Sequence, residues 1–144
     1  MNEPASFSRI LVAVDGSEYA KKAFEKSIYL AQKFNSKIDV IHVVNDSTYG
    51  GDSATAFELL EEIKEKGRKI LDECKNQAGV NNIVITTLLE IGDPAQVIVN
   101  ISNKNTYDLI IMGNRGLSTF KELLMGSVSL KVTNYAKCPI MIVK

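Results

Sequence analysis

The sequence has few of the residues that metal sites and nucleic-acid surfaces need. It contains one histidine, His42, and two cysteines, Cys74 and Cys138, which lie far apart and form no Cys-x-x-Cys pair. This pattern argues against a zinc site, and two reduced thiols in the core are the expected state of the cysteines. The 17 basic and 17 acidic residues cancel to a net charge of zero, which argues against a nucleic-acid partner.

Long apolar runs and common catalytic motifs are also missing. No apolar stretch approaches the ~20 residues that span a bilayer, and the short polar N-terminus has no signal-peptide pattern. We therefore expect a cytoplasmic protein without a membrane partner. The chain has no Gly-x-Ser-x-Gly elbow, no second histidine for a triad and no Walker phosphate-binding loop. These absences argue against a triad hydrolase and a P-loop ATPase.

What the chain does contain is a regular alternation of apolar runs and helical patterns. Runs rich in β-branched residues predict five strands, at residues 9–14, 37–44, 82–89, 107–112 and 140–143. Apolar residues at helical spacing predict four helices between them. We expect Ser17 and Asp93 to begin the first and third helices as N-caps, and Gly79 to end the second, predicted over residues 54–77. The fourth is expected to begin near Ser127 and end by Lys137.

This order of elements predicts the fold class. Repeated strand–helix–strand units are typical of an α/β domain with a doubly wound, five-stranded parallel sheet and helices on both faces. We expect a single domain over residues 1–144, with the first strand central and the strand order 3-2-1-4-5. Ligands of such sheets bind at the carboxyl ends of the strands, where the order reverses. The loops after strands one and four would flank that crevice.

One of these two loops carries the strongest motif of the chain. The fourth strand ends in Met112-Gly113-Asn114-Arg115-Gly116, and Gly126-Ser127-Val128 follows after nine intervening residues. Glycines after a strand let main-chain N–H groups approach an anion, because no Cβ stands in the way. A Gly-Ser pair that begins a helix adds further N–H groups, a hydroxyl and the positive end of the helix dipole. Together they predict a polyphosphate site, although the glycines could also merely turn the chain and cap helices.

Several neighbouring side chains have two interpretations. Arg115 could donate two hydrogen bonds to a phosphate or remain a solvated loop residue. Asp15 could accept from a ribose or an adenine edge, hold a metal ion beside phosphates, or simply form a turn. Ser127 could bind phosphate through its hydroxyl and N–H, and could cap the last helix in the same geometry.

The second strand contributes two further candidates. His42 lies inside this strand, where a lone histidine is more often a hydrogen-bonded packing residue than a catalytic base. Val43 or Val44 would approach the crevice and could pack against an adenine ring, although either valine could be plain core.

These motifs resemble the ATP-binding branch of the universal stress protein family. The resemblance covers nearly the whole length, including residues 10–18, His42-Val43, Gly92-Asp93-Pro94 and Cys138-Pro139-Ile140. Its most specific element is the spacing Gly-x-x-Gly, nine residues, Gly-Ser/Thr, which this sequence matches at every position. Asn114, where many members have serine, is a departure that should still allow the turn.

The resemblance implies ATP, or AMP or ADP, as the ligand, with Mg²⁺ or Mn²⁺ as a candidate companion. It also implies a homodimer through antiparallel pairing of the last strand, Ile140–Val143, an apolar edge that would otherwise be exposed. The site residues implied are Val14, Asp15 and Val43 at the adenine and ribose end, Met112 and Gly113 at the ribose, and Gly116, Gly126, Ser127 and Val128 at the phosphates, with Arg115 beside them.

Three functions follow as hypotheses. The first is an ATP-binding regulatory or stress-response module with slow or no hydrolysis, because a complete phosphate site lacks a general base. The second is a low-turnover ATPase or nucleotidyl-transferring enzyme, although the loop at Asp15-Gly16-Ser17 lacks the double glycine of ATP pyrophosphatases. The third is a protein-interaction module that holds AMP or ADP structurally, with partners selected by the loop at residues 45–53 and the long second helix.

Overall fold

The computed structural model of the chain describes residues 7–46, 53–117 and 124–144. Strands and helices alternate through these residues, as the sequence predicted. Most of the predicted 45–53 loop lies outside the described residues. The elements are β1 (Arg9–Ala13), α1 (Glu18–Phe34), β2 (Lys37–Val44), α2 (Ala54–Val80), β3 (Ile85–Ile91), α3 (Pro94–Lys104), β4 (Leu109–Gly113), α4 (Ser127–Tyr135) and β5 (Ile140–Val143).

The strands form one parallel sheet with the order β3-β2-β1-β4-β5. The central strand β1 pairs with β2 at Arg9↔Lys37 and with β4 at Ile10↔Leu109. The predicted α/β fold class and strand order are therefore confirmed. Both edges of the sheet, β3 and β5, are strands that pair on one side only among the described residues.

Two hydrophobic clusters cover the two faces of the sheet. Side chains of successive strand residues point to opposite faces, so the apolar run of β1 supplies both clusters. Ile10 and Val12 belong to the cluster beneath α1 and α2, whereas Leu11 belongs to the cluster beneath α3 and α4. All three are completely buried. A continuous apolar run in a central strand is thus explained by helices on both faces.

Two helix starts follow the predicted capping chemistry. The Ser17 hydroxyl accepts a hydrogen bond from the N–H of Ala20 at 3.1 Å, and the Asp93 carboxylate accepts one from the N–H of Gln96 at 3.0 Å. Each bond satisfies an N–H that has no partner within its helix. Pro94 occupies the first turn of α3, where its missing N–H costs nothing.

The end of α2 corrects the prediction for Gly79. This glycine lies inside the helix, which continues to Val80. The chain reverses at Asn82, whose φ of 59° is left-handed, and the N–H of Ile83 donates back to the carbonyl of Ala78 at 2.8 Å. Asparagine tolerates this conformation better than most residues, so it ends the helix in place of glycine. As a result β3 begins at Ile85, three residues later than predicted.

The two cysteines are free. Cys74 is buried in the cluster beneath α2, as expected of a core thiol. Cys138, which precedes β5, is only half-buried, so the expectation of two core thiols holds fully for Cys74 alone. Among the helices of the described residues, none is both long and apolar enough to traverse a bilayer.

A polar network joins three strands at the amino end of the sheet. The Tyr107 hydroxyl donates to Asp39 Oδ2 at 2.6 Å, and Arg9 Nη2 lies 3.2 Å from the same oxygen. The Arg9 guanidinium also lies 4.7 Å from the centre of the Tyr107 ring. Burial and the hydrogen bond to Asp39 raise the pKa of Tyr107. This network lies at the end of the sheet opposite the predicted ligand crevice.

Candidate functional site

The crevice lies at the carboxyl ends of the neighbouring strands β1 and β4. From β1 the chain continues into α1 on one face of the sheet, and from β4 it continues towards α4 on the other face. The loops that leave these strands diverge, and the gap between them is where doubly wound sheets bind ligands. The strand order thus places the predicted crevice where the sequence expected it.

A cavity of about 200 Å³ occupies this crevice. All ten residues predicted for the site line it: Val14, Asp15, Val43, Met112, Gly113, Arg115, Gly116, Gly126, Ser127 and Val128. The sequence analysis missed further lining residues, which are Ala13, Ala20, Ile41, Pro94, Ile98 and Leu117. Ser129, which the sequence makes a weaker phosphate candidate, lines the cavity as well.

The missed residues Ile41 and Ile98 add to the apolar part of the wall. Ile41 could have been found from the sequence, because it lies two residues before Val43 and therefore faces the same side of β2. Ile98 and Pro94 come from α3, which no sequence motif connects to the crevice. Their position depends on the packing of α3 against β2, so only the structure reveals them.

The glycine loop and the start of α4 are held together by main-chain hydrogen bonds. The N–H of Gly126 donates to the carbonyl of Asn114 at 2.8 Å, and the Ser129 hydroxyl lies 3.0 Å from the same carbonyl. The N–H of Asn114 in turn donates to the carbonyl of Val143 in β5. The expectation that Gly126 offers a free N–H is therefore wrong, because that donor already links the two halves of the site.

The free donors are the N–H groups next to Gly126. Four N–H groups donate to no described residue. Two lie at the start of α4, on Ser127 and Val128, and two lie in the glycine loop, on Arg115 and Gly116. The N-cap of α4 is Gly126, which has no side chain to cap the helix. Ser127 is therefore the first helical residue and not the cap, and its exposed hydroxyl has no hydrogen-bond partner among the described residues.

Gly113 is required by packing against α1. A Cβ at this position would lie 2.6 Å from the Tyr19 Cβ and 2.8 Å from the Tyr19 carbonyl carbon, so β4 can approach α1 only with glycine here. Gly126 is similarly confined, since a Cβ there would lie 3.2 Å from Arg115 Cα. Gly126 is also the N-cap of α4, which is one of the structural roles that the sequence left open, whereas the packing of Gly113 on Tyr19 is a role that the sequence did not predict.

Asp15 connects the two loops of the crevice. Its Oδ1 accepts from the N–H of Ser17 at 2.9 Å, which is the turn geometry that the sequence offered as an alternative. Its Oδ2 accepts from the N–H of Leu117 at 3.2 Å, across 102 residues of sequence. A Cβ at Gly116 would collide with this same oxygen. Asp15 is the only carboxylate among the described residues that line the cavity.

The Arg115 side chain packs against α1. Its guanidinium lies over the Tyr19 ring, 4.9 Å from the centroid, and Nη2 donates to the Tyr19 hydroxyl. Its Nε is buried and has no hydrogen-bond partner among the described residues. The side chain is therefore partly buried against α1 and is not a fully solvated loop residue, and its donation to a phosphate stays a prediction. Arg115 is the only cation among the described residues that line the cavity.

The apolar end of the cavity is positioned through His42. The Nδ1 of His42 lies 2.8 Å from the carbonyl oxygen of Val14, and the N–H of Val14 donates to the carbonyl of Ile41 at 2.9 Å. His42 therefore has the hydrogen-bonded packing role that the sequence favoured. Val43 lines the cavity, whereas Val44 is buried in the core, which settles the choice between these two valines.

No group of three or more histidine, cysteine, aspartate or glutamate side chains within residues 7–46, 53–117 and 124–144 is placed to hold a metal ion.

The fold defines a doubly wound α/β protein with a glycine-lined crevice at the switch point of its sheet. The family model described as "Universal stress protein family" matches residues 6–144. The chain therefore belongs to the universal stress protein family, as the sequence motifs indicated.

Comparisons with individual proteins agree with this assignment. The chain is 33% identical to the universal stress protein YxiE of Bacillus subtilis over 147 residues, which covers 96% of this chain and 99% of the relative. Its fold matches that of UspA from Lactobacillus plantarum with a TM-score of 0.89 at 22% identity, over 98% and 100% of the two chains. A family protein from Arabidopsis thaliana, solved with AMP bound, matches with a TM-score of 0.71 at 25% identity, over 95% and 91%.

Proposed function

We propose that this chain binds an adenine nucleotide, ATP in the first place, in the crevice between β1 and β4. It acts as a nucleotide-dependent regulatory or stress-response module with slow or no hydrolysis. The proposal is supported by the geometry of the crevice and by the family protein from Arabidopsis thaliana that was solved with AMP bound.

The observation that carries the proposal is the uncapped start of α4. Its first N–H groups, on Ser127 and Val128, have no partner among the described residues, and those of Arg115 and Gly116 across the loop have none either. A helix start of this kind favours an anion, which caps the N–H groups and interacts with the positive end of the helix dipole. Two sets of donors that line one cavity suit an extended phosphate chain better than a single small anion.

The opposite end of the cavity suits a purine. Val43, Ile41 and Ile98 present apolar surface there, and Met112 is nearly buried beneath it. Ligand sites of this size typically combine such a surface with few polar groups that set the orientation. We assign Asp15, at the edge of the apolar part, to accept from a ribose hydroxyl, because each of its oxygens has a further lone pair beside its main-chain donor.

We propose slow or absent hydrolysis because the cavity offers a single candidate for a general base: Asp15 is the only carboxylate among the described residues that line it. Each of its oxygens accepts a main-chain N–H bond, so the carboxylate is held in place as the link between the two loops. We propose that Mg²⁺ or Mn²⁺, if it accompanies ATP, is held mainly by the phosphates, since Mg²⁺ commonly keeps several waters and few protein ligands.

The test of this proposal uses substitutions at Ser127, because glycine substitutions would perturb packing against Tyr19 or Arg115. Ser127→Asp places a negative charge in the first turn of α4, where it stabilises the helix but repels phosphate. We expect isothermal titration to show ATP affinity reduced by about tenfold or more, with no loss in the unfolding temperature. Ser127→Asn is the matched neutral control and should bind ATP within about threefold of wild type.

Unchanged ATP affinity in Ser127→Asp would contradict the phosphate site. Absence of ATP binding by the wild-type chain would contradict nucleotide binding altogether. Mass spectrometry of small molecules released from the denatured protein distinguishes the alternatives: we expect ATP, whereas tightly held AMP or ADP would favour the interaction-module hypothesis. Turnover well above one per minute with Mg²⁺ or Mn²⁺ would favour the enzyme hypothesis.

We also propose that two copies pair through β5. This edge strand has its carbonyls at Pro139 and Val143 bonded to β4, so the main-chain groups of Ile140 and Ile142 point to the open edge. Ile142→Pro removes one outward N–H and leaves the bonds to β4 intact, a change that edge strands accept. Light scattering should give twice the 15.9 kDa chain mass for wild type and a single chain mass for the variant. A monomeric wild type would contradict the pairing.

A further inference from the structure

The side chain of Arg115 is held in a pose that leaves its buried Nε–H without a partner among the described residues. Nη2 donates to the Tyr19 hydroxyl, while the buried Nε has no partner among the described residues. Buried polar groups in folded proteins are normally hydrogen-bonded, because an unpaired buried donor has lost its bonds to water without replacement. Packed on Tyr19, the guanidinium therefore keeps one buried hydrogen-bond donor unsatisfied.

The two nitrogens concerned share one edge of the guanidinium. Nε–H and Nη2–H point in the same direction and are spaced to match two oxygens of one phosphate group. The Tyr19 hydroxyl offers a single oxygen, so it satisfies only half of this edge. A phosphate would satisfy both halves, with opposite charge in addition.

The main chain of Arg115 is confined, so a change of partner falls to its side chain. Its main chain is confined on the α4 side, where a Cβ at Gly126 would lie 3.2 Å from Arg115 Cα. On the α1 side, the contact between Gly113 and Tyr19 fixes the distance of the loop from the helix. Exchange of the Tyr19 hydroxyl for a phosphate thus needs rotation of one side chain and no movement of the sheet.

We infer that Tyr19 determines how strongly the site prefers nucleotides with several phosphates; this rests on the proposed function. Without nucleotide, Tyr19 holds the Arg115 guanidinium on α1. The phosphate of AMP is bound by the start of α4 and leaves the pair intact. The β- or γ-phosphate of ATP takes over both donors of the guanidinium edge and breaks the bond to Tyr19. The hydrogen bond between Arg115 and Tyr19 must break when ATP binds, so it lowers the affinity for ATP and leaves the affinity for AMP unchanged.

The test compares Tyr19→Phe with Tyr29→Phe by titration with ATP and with AMP. Tyr19→Phe keeps the ring and its packing on Gly113 but removes the hydroxyl that holds Arg115. We expect ATP affinity to rise about three- to tenfold and AMP affinity to stay within about twofold. Tyr29 is the matched control, because it lies on the same helix, stacks with Lys33 at 5.6 Å and does not line the cavity, and its variant should change neither affinity.

Arg115→Gln supplies the second arm. This variant should lower ATP affinity towards that of AMP, and Tyr19→Phe should have no further effect in its background. Equal changes in ATP and AMP affinity on Tyr19→Phe, or weaker ATP binding, would overturn the inference, because Tyr19 would then only support the fold. If the wild-type chain binds ATP and AMP but Tyr19→Phe does not change ATP affinity selectively, this inference alone is refuted. If the wild-type chain binds neither nucleotide, the proposed function is refuted as well.

Discussion

The imidazole of His42 donates from Nδ1 to the carbonyl oxygen of Val14, at 2.8 Å. A carbonyl can only accept, so Nδ1 carries the proton and the orientation of the ring is determined. Val14 directly follows the central strand β1 and precedes Asp15, the carboxylate of the crevice. A residue within β2 therefore orients the chain at the point where it leaves β1 for the candidate site.

Substitution of His42 should reveal this role. In His42→Asn the amide nitrogen occupies the place of Nδ1 and can make the same bond, whereas His42→Leu leaves the carbonyl of Val14 unpaired. We expect His42→Leu to lower the free energy of unfolding in urea by about 1–3 kcal/mol. His42→Asn should recover most of this loss. Equal destabilisation by both variants would show that ring packing, and not the hydrogen bond, determines the role of His42.

The other side of the same ring explains a glycine within a helix. A Cβ at Gly67 in α2 would lie 2.7 Å from His42 Cδ2 and 2.9 Å from Leu89 Cδ1. Gly67→Ala should therefore lose about 1–2 kcal/mol of stability despite its better helix propensity. Gly79, in the same helix, has nothing within 4 Å of its Cβ position. Gly79→Ala should raise the free energy of unfolding by about 0.5–1 kcal/mol. Chemical denaturation should therefore show opposite changes in stability for Gly67→Ala and Gly79→Ala.

The network at the amino end of the sheet should contribute to stability without affecting the crevice. Tyr107→Phe removes the hydroxyl that donates to Asp39 at 2.6 Å, although Arg9 still pairs with that carboxylate. We expect a loss of about 1–2 kcal/mol in the free energy of unfolding, with nucleotide affinity unchanged. Tyr135→Phe is the control, because Tyr135 is exposed, and should be neutral. A change in ATP affinity on Tyr107→Phe would contradict the separation of the two ends.

The buried thiol of Cys74 should make stability fall at alkaline pH. Burial, with a smaller effect of the Glu73 charge, raises the pKa of Cys74 from 9.0 to about 11. The folded state thus binds this proton more tightly than the unfolded state, so the contribution is complete below pH 9 and is lost as pH rises towards 11.

Denaturation measured between pH 8 and pH 11 should therefore show that the free energy of unfolding falls with pH in both proteins. The fall should be smaller in Cys74→Ala than in wild type, by about 1–3 kcal/mol over the interval. The pKa values of Tyr107 and Cys138 are also raised, but both groups are present in the two proteins and contribute equally to the pH dependence of each. The difference between the two free energies of unfolding therefore isolates the contribution of Cys74. Identical pH profiles of the two proteins would show that the thiol does not ionise in this range.

Local patterns were sufficient to predict most of the fold. Ser17 and Asp93 cap their helices as predicted, because capping depends on residues within one turn. The strand order followed from the alternation of strands and helices together with a central β1. The end of α2 was predicted less well, since Gly79 and Asn82 both suit a helix terminus and the sequence does not choose between them.

The candidate site could be predicted as a set of residues but not as an arrangement of donors. The glycine spacing, the strand ends and the resemblance to universal stress proteins together predicted ten residues that line one cavity. That Gly126 uses its N–H on Asn114, and that Arg115 packs on Tyr19, could not be predicted. Arg115 and Tyr19 are separated by 96 residues, and no periodicity in the sequence connects them.

The sequence by itself determined the order of strands and helices, the loops that meet at the crevice and the family to which the chain belongs. These depend on hydrophobic period, capping and glycine spacing, which act over a few residues and are therefore visible in a linear string. Only the tertiary structure decided which N–H groups remain free and why Gly67 and Gly113 lack side chains. Those properties arise where helices pack on distant strands, and packing distances are set by the whole fold.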